Sequence, residues 1–478
     1  HTNPETGRIN ASNPCSEYMS LDNSSCNLAS LNLMKFLKSD GSFDAKTFGK
    51  AAEMIITAMD ISICFADFPT EAIGETTRAY RQLGIGYANL GALLMASGLA
   101  YDSEGGRALA GAITSLMTGI TYKRSAELAG IVGPYDGFAR NASAHARVMR
   151  KHAAASSAAK HETTLDIDVW AEANKAWDAC LSTGDKNGWR NAQISVLAPT
   201  GTIGLMMDCD TTGIEPDFSL VKFKKLVGGG SMQIVNQTVP AALRKLGYAE
   251  ETVEAIVEYI AANGHVIDAP GLKTEHYDVF DCALGARSIA PMGHVRMMAA
   301  AQPFLSGAIS KTVNLPEDAT IEDVEEVYYE SWKLGIKALR DCSVSELESS
   351  RTKLTELEYM RAEHVVNDIA RVHETVTFLK KNDFAAVGKI LTKSHASLRD
   401  RFEISCPELD LAVDTALTNK SLGGRMIGGG FGGSAIALFE VADIEPAKLA
   451  IAAAFKAAGY VEPRFFTSLP SSGAAVIN

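Results

Sequence analysis

An α/β architecture follows from three features of the sequence. Short β-rich runs alternate with longer, alanine-rich stretches whose apolar residues recur at helical spacing. One segment, "NAQISVLAPTGTIGLMMDCDTTGIEPDF" (191–218), passes from a β-rich run through a turn into small residues, a strand–loop–helix pattern with a site at its turn. Hydrophobic residues make up 46% and charged residues 21%, enough to build sizeable cores. A chain of 478 residues accommodates about two to four domains.

Taken in order, residues 1–35 read as extended and loop-like before turning into "LNLMKFL". Helical spacing marks 45–66 and 104–130, and 141–164 is a polar, alanine-rich helix or connector. Further helices are expected at 239–263 and 321–339. Near 340 the character changes to a charged, strongly amphipathic, long-helical stretch. "GGRMIGGGFGGSAIALFEV" then reads as a glycine-rich turn entering an apolar strand, and the end of the chain as a helix followed by an edge strand. No repeat at solenoid spacing occurs. We place two domains, 1–339 and 340–478, with no Pro/Gly/Ser linker between them.

The net charge of −12 argues against a nucleic-acid or anionic-membrane surface, although a free nucleotide needs only one local anion site. Eight cysteines without a CxxC pair do not make a disulfide scaffold, which points to a reducing cytoplasm. The first residues lack the basic and apolar regions of a signal peptide and read like the middle of a larger protein. The most apolar stretch, "LGIGYANLGALLMASGLAY" (83–101), contains Asn89 and several small residues, so a buried core helix is expected rather than a membrane span.

The chemistry concentrates in "NPCSEYMSLDNSSCNLASLNL" (13–33). In an extended backbone Asn13, Cys15 and Glu17 share a face. Pro14 cannot donate to a sheet ladder, so a finger fits better than a central strand. Such a finger offers one ligand a sulfur, an amide and a carboxylate able to accept a proton. A lone cysteine is otherwise a small buried hydrophobe. In "APTGTIG" (198–204), Pro199, Thr200, Gly201, Thr202 and Ile203 begin a helix whose free N–H groups and dipole suit an anion, while an ordinary N-cap has the same look. No GK[ST] follows, so this is not a P-loop. Cys64, Cys180, Cys209 and Cys282 read as core thiols. His294 and the other histidines lack metal-ligand spacing, and no metal site is expected.

The cysteine segment resembles the active-site stretch of ribonucleotide reductases, most closely the adenosylcobalamin-dependent class. The resemblance continues through "RQLGIGYANLGALLMASGLAY", "NAQISVLAPTGTIGLMMDCDTTGIEPDFSLV" and "AAAQPFLSGAISKTVNLP" and covers about residues 1–338. It implies a ten-stranded α/β barrel, present here in part, that converts ribonucleoside di- or triphosphates to 2′-deoxyribonucleotides. It implies that Cys15 becomes a thiyl radical and abstracts the ribose 3′ hydrogen. Glu17 would take the 3′-hydroxyl proton and Asn13 would hydrogen-bond the substrate. Cys26 would be one of the redox pair, re-reduced by a thioredoxin-like or dithiol reductant. The 199–203 turn would hold the substrate diphosphate. The lack of an iron-site pattern agrees with cobalamin.

"RAEHVVNDIARV", "SHASLRDRFEISCPELD" and "GGRMIGGGFGGSAIAL" occur in order after the junction. Together they resemble the C-terminal part of galactokinase, within the family that includes homoserine, mevalonate and phosphomevalonate kinases. That implies a small ferredoxin-like α+β lobe, with Gly428, Gly429, Gly430, Gly432 and Gly433 near a phosphate and sugar site. No stretch resembles that family's sugar-binding segment, ATP loop or catalytic aspartate region. ATP chemistry would need them, so no sugar kinase activity is expected. The reductase's first barrel half and the partner of Cys26 would lie upstream. Half a barrel exposes long edges and an apolar face, so poor solubility or pairing with another chain, as in a homodimer, is expected. The abrupt join favours a chimera of two reading frames over a true fusion.

Overall fold

The computed structural model describes residues 1–225, 231–316, 319–336, 351, 356–427 and 434–467. They fall into two units, His1–Lys337 and Ala338–Asn478. In the first unit, β1 (Leu28–Asn32) is followed by α1 (Ala45–Ser62), α2 (Glu71–Tyr80) and β2 (Gly84–Ala88). β1 and β2 pair in parallel, with Leu28 opposite Gly84 and Asn32 opposite Ala88. Parallel bridges extend the set from Ile85 to Ser195 and from Leu197 to Ile309. Four parallel segments thus stand in the order β1, β2, 193–197, 307–310. Parallel neighbours require long crossovers, which helices supply. Every residue of β2 is buried, as expected of a strand covered on both faces. Gly86 makes the close spacing possible, since a Cβ there would stand 2.6 Å from the carbonyl oxygen of Val196.

The helical layer begins with α1, whose N-cap Asp44 accepts the N–H of Thr47. Its other members are α3 (Leu90–Ala96), α4 (Glu104–Val132), α5 (Phe138–Ser157) and α6 (Thr164–Asn187). A reciprocal capping box between Thr163 and Asp166 starts α6. α4 packs along α6, where the fully buried Trp177 donates its Nε1–H to Ser115 Oγ at 3.0 Å. Truncating such a side chain to alanine costs about 3–5 kcal/mol. The remaining elements are α7 (Gly201–Met206), an antiparallel pair β3 (Val221–Lys225) and β4 (Ser231–Val235), α8 (Thr238–Lys245), α9 (Glu250–Asn263), α10 (Pro291–Ala301) and α11 (Ile321–Lys333).

Several expectations from the sequence change in detail. The apolar stretch 83–101 is buried, but it is strand β2 and helix α3 rather than one helix, broken where Asn89 takes φ +73°. Residues 239–263 form two helices because Gly247, at φ +89°, interrupts them. α11 ends at Lys333, ahead of Gly335 at φ +77°. Among the described residues the strands form open sheets and no closed barrel. No helix among them is long and apolar enough to cross a membrane.

The second unit is a separate mixture of helices and a hairpin: α12 (Glu356–Lys380), α13 (Phe384–Ser397), α14 (Pro407–Thr418), β5 (Gly423–Ile427), β6 (Ser434–Leu438) and α15 (Ile444–Ala458). β5 and β6 pair antiparallel. α13 meets β5 backbone to backbone at Gly388 and Gly423, where neither residue has room for a Cβ. The glycines expected near a phosphate, Gly428 to Gly433, lie outside the described residues, as does the junction near 340. Residues 460–467 contain no strand, and 468–478 are not described.

Candidate active site

Residues 12–19 form a short hairpin across the parallel set. Ser12 and Met19 bridge antiparallel. Asn13 donates its N–H to the Tyr18 carbonyl at 3.1 Å, and its Oδ1 accepts the Tyr18 N–H at 2.9 Å. Ser16 closes the turn by donating to the Asn13 carbonyl at 2.9 Å, with φ +68°. The finger is therefore a reverse turn and not the extended strand its alternation suggested. A proline at 14 and a small residue able to take left-handed backbone at 16 favour the turn. Asn13, Cys15 and Glu17 accordingly do not share one face. Cys15 is exposed at the turn, Asn13 is half-buried, and Glu17 is only 1% exposed.

The finger is held at both sides of the sheet. Ala308 donates its N–H to the Glu17 carbonyl at 2.8 Å, tying the finger to the fourth segment. The Tyr18 ring lies against Gly84 at the start of β2. Glu17 Oε2 is buried and has no hydrogen-bond partner among the described residues. A buried carboxylate oxygen left unpaired is costly, and at a site it is a ready acceptor for a ligand hydroxyl. Cys26 belongs to the same neighbourhood. Cys26 is an exposed residue, yet packing around its sulfur pushes the thiol up to about 11, and the Glu17 carboxylate and Cys15 add to the rise. The structure thus carries Asn13, Cys15 and Glu17 on one turn and sets Cys26 within electrostatic reach of Glu17 and Cys15.

Pro199 to Ile203 follow the C-terminal end of the third segment. Thr200 adopts φ +49° and caps α7 without a side-chain bond to the helix. Its Oγ1 instead accepts the Gly213 N–H at 2.7 Å, closing the 200–213 loop on itself. Gly201, Thr202 and Ile203 are exposed, and a Cβ on Gly201 would meet nothing within 4 Å. The first turn of α7 therefore lies open. Among the described residues, no hydrogen bond joins this turn directly to the finger; the two share the sheet that carries them.

Two groups beside this turn were not singled out from the sequence. Asn89, buried at the end of β2, accepts the N–H groups of Asp210 and Thr211 at 3.0 Å each and donates to Asn32 Oδ1 at 3.0 Å. Asn32 in turn donates to the Met207 carbonyl at 3.1 Å. The signal was an amide inside an otherwise apolar run. Lys311, whose side chain is fully buried just past the fourth segment, pairs with Glu215 and lies 2.8 Å from His294 Nδ1. Burial pulls its ammonium below the usual lysine range although Glu215 opposes the change. Of the cysteines expected in the core, Cys180 and Cys282 are buried, whereas Cys64 is exposed and Cys209 intermediate. No cluster able to hold a metal ion occurs among the described residues.

Residues 1–340 match the family model described as ribonucleotide reductase, barrel domain. The chain belongs to the ribonucleotide reductase family. Residues 375–457 match a second model, the C-terminal domain of GHMP kinases. The vitamin B12-dependent ribonucleotide reductase of Streptomyces coelicolor is 65% identical over 416 residues, covering 85% of this chain and 43% of the relative. A protein of the same description from Streptantibioticus cattleyicolor is 71% identical over 70% of this chain and 59% of its own length. A vitamin B12-dependent ribonucleoside-diphosphate reductase of Mycobacterium tuberculosis is 33% identical, covering 70% of this chain and 42% of its own length. The chain therefore spans roughly half the length of these reductases.

Proposed function

We propose that residues 1–339 carry the radical finger and the substrate-phosphate turn of an adenosylcobalamin-dependent reductase acting on ribonucleoside di- or triphosphates. The observation that carries this reading is the buried, unpartnered Glu17 oxygen in the same small neighbourhood as the Cys15 and Cys26 sulfurs. Cys15 takes the ribose 3′ hydrogen as a thiyl radical, and Glu17 accepts the 3′-hydroxyl proton. Asn13, whose Oδ1 is committed to Tyr18, offers its amide N–H to the sugar. As the 2′-hydroxyl leaves as water, Cys26 and a second cysteine supply two electrons and become a disulfide. A thioredoxin-like protein or small dithiol restores them. Thr200 to Ile203 receive the phosphates at an open helix start.

The residues present fit a cobalamin partner. Cys15 stands exposed on a turn, where a radical arriving from outside the chain can reach it. The cofactor supplies one-electron chemistry that acid–base side chains lack. The finger's part is to hold the sulfur and the acceptor carboxylate in place. The kinase-family block contributes no phosphoryl transfer in this reading.

The test is deoxynucleotide formation with adenosylcobalamin and a dithiol, by this segment restored to the length of its relatives. Cys15→Ser is expected to abolish turnover while phosphate-dependent nucleotide affinity stays within about threefold. Turnover surviving in C15S, or no nucleotide binding at all, would sink the reading.

A further inference from the structure

We propose that Tyr18 is a positioning residue: a hydroxyl strut that sets the placement of the Cys26 segment against the Cys15–Glu17 finger. The inference rests on the reading of those residues as the active site, and goes beyond it by naming what holds the two thiol-bearing segments together. Nothing in the reaction itself requires a phenol at this position.

Tyr18 works at both ends of the site. Its backbone closes the turn, accepting the Asn13 N–H at 3.1 Å and donating its own N–H to Asn13 Oδ1 at 2.9 Å. Its side chain, 3% exposed, leaves the finger entirely. The hydroxyl reaches the Ser25 carbonyl at 3.1 Å and the Gln82 carbonyl at 3.2 Å. Ser25 immediately precedes Cys26. One side chain therefore spans from the residue after Glu17 to the residue before Cys26. Burial pushes the phenol far above its ordinary range, so it remains a neutral donor.

Two further contacts brace the strut. Gln82 accepts from Ser20 Oγ through its side chain, and Ser24 Oγ donates to Ser20 Oγ at 2.9 Å. Ser25 is held from the opposite side as well, its N–H donating to Thr77 Oγ1 at 2.9 Å. Thr77 anchors the Cys26 segment to α2, whereas Tyr18 couples it to the finger. Removing the phenolic hydroxyl leaves the half-buried Ser25 carbonyl and the buried Gln82 carbonyl without that donor, and the Cys26 segment free to drift from Glu17.

The experiment is peptide-resolved alkylation of the full chain with iodoacetamide, followed against pH. In the parent background, Glu17→Gln is expected to lower the pH at which Cys26 is half-reactive, because a neighbouring carboxylate opposes the thiolate. In Tyr18→Phe that midpoint is expected to fall by less than about one pH unit, toward the midpoint of E17Q, since Glu17 is second to burial among the causes of the rise, and the further effect of E17Q to shrink to less than half. Tyr87→Phe is the control, since it removes a buried hydroxyl paired with Thr114 at 2.9 Å on β2, away from the finger. An unchanged Cys26 profile in Y18F, or an equal change in Y87F, would overturn the strut while leaving the reductase reading untouched. A shifted Cys26 profile in Y18F together with turnover surviving in C15S would support the strut and remove the reaction it was thought to serve.

Discussion

Glu17 follows a turn that only a residue tolerant of left-handed backbone can complete, and Ser16 takes that role at φ +68°. The turn points Cys15 outward and sends the Glu17 carboxylate inward, so neighbouring residues receive opposite environments. In the reaction proposed for this site, a radical-bearing thiol at Cys15 would need access, while a proton acceptor at Glu17 would work best where water does not compete. Replacing Glu17 by Gln keeps the shape but removes the acceptor. The expected outcome is a loss of about 10²–10⁴ in kcat with little change in KM, measured in the cobalamin-driven assay. An equal loss in both Glu17→Gln and a distant surface variant would deny the residue that role. Residues 13, 15, 17 and 26 were legible as candidates because they lie within one contiguous stretch. Their burial was not, since alternation along an extended chain predicts one shared face and a reverse turn destroys it.

At the level of elements, the 200–213 loop is shaped from outside itself. Asn89 holds two of its backbone N–H groups from the end of β2, and Asn32 holds a carbonyl from the end of β1. Asn89→Ala removes the acceptor that the Asp210 and Thr211 N–H groups share, and for the buried Thr211 that loss costs about 1–3 kcal/mol. We expect faster amide exchange at Asp210 and Thr211 and weaker phosphate-dependent nucleotide binding; unchanged exchange would show that the loop stands without the clamp. Gly86 tests the sheet itself. Its Cβ would meet the Val196 carbonyl at 2.6 Å, so Gly86→Ala is expected to cost about 2–4 kcal/mol and to lower the melting temperature by several degrees. Helices with strong apolar period, α1 and α4, could be read within a few residues. The β2–α3 break at Asn89 could not, because its cause is a set of hydrogen bonds to residues more than a hundred positions away.

Across the whole molecule, acid stability carries the mark of buried imidazoles. Burial holds His145, stacked on Trp189 with ring centres 4.7 Å apart, down to about 3. Burial first, and then Lys311, hold His294 down to about 3. Both are neutral in the folded chain near pH 7. As the pH falls below about 6.5 the unfolded chain takes up protons that the folded chain refuses, so stability declines. The decline is bounded at about 1.4 kcal/mol per pH unit for each histidine, and it levels off only near the folded values. A urea midpoint that falls between pH 7 and 5, and falls less in His145→Gln, is the expected result. A flat profile would mean that these rings are not buried neutral in solution.

The sequence by itself determined the two family resemblances, the helical periods and the short list of chemistry-bearing residues, because each is written in contiguous residues or fixed spacings. Only the tertiary structure decided which of those residues meet. The buried oxygen of Glu17, the Tyr18 hydroxyl on the Gln82 carbonyl, and the amide of Asn89 on a distant loop all depend on how residues far apart in sequence are packed. Local periodicity records which face of an element is apolar. It does not record what stands opposite that face, and that partner sets the burial, the hydrogen bonds and the reactivity of each group.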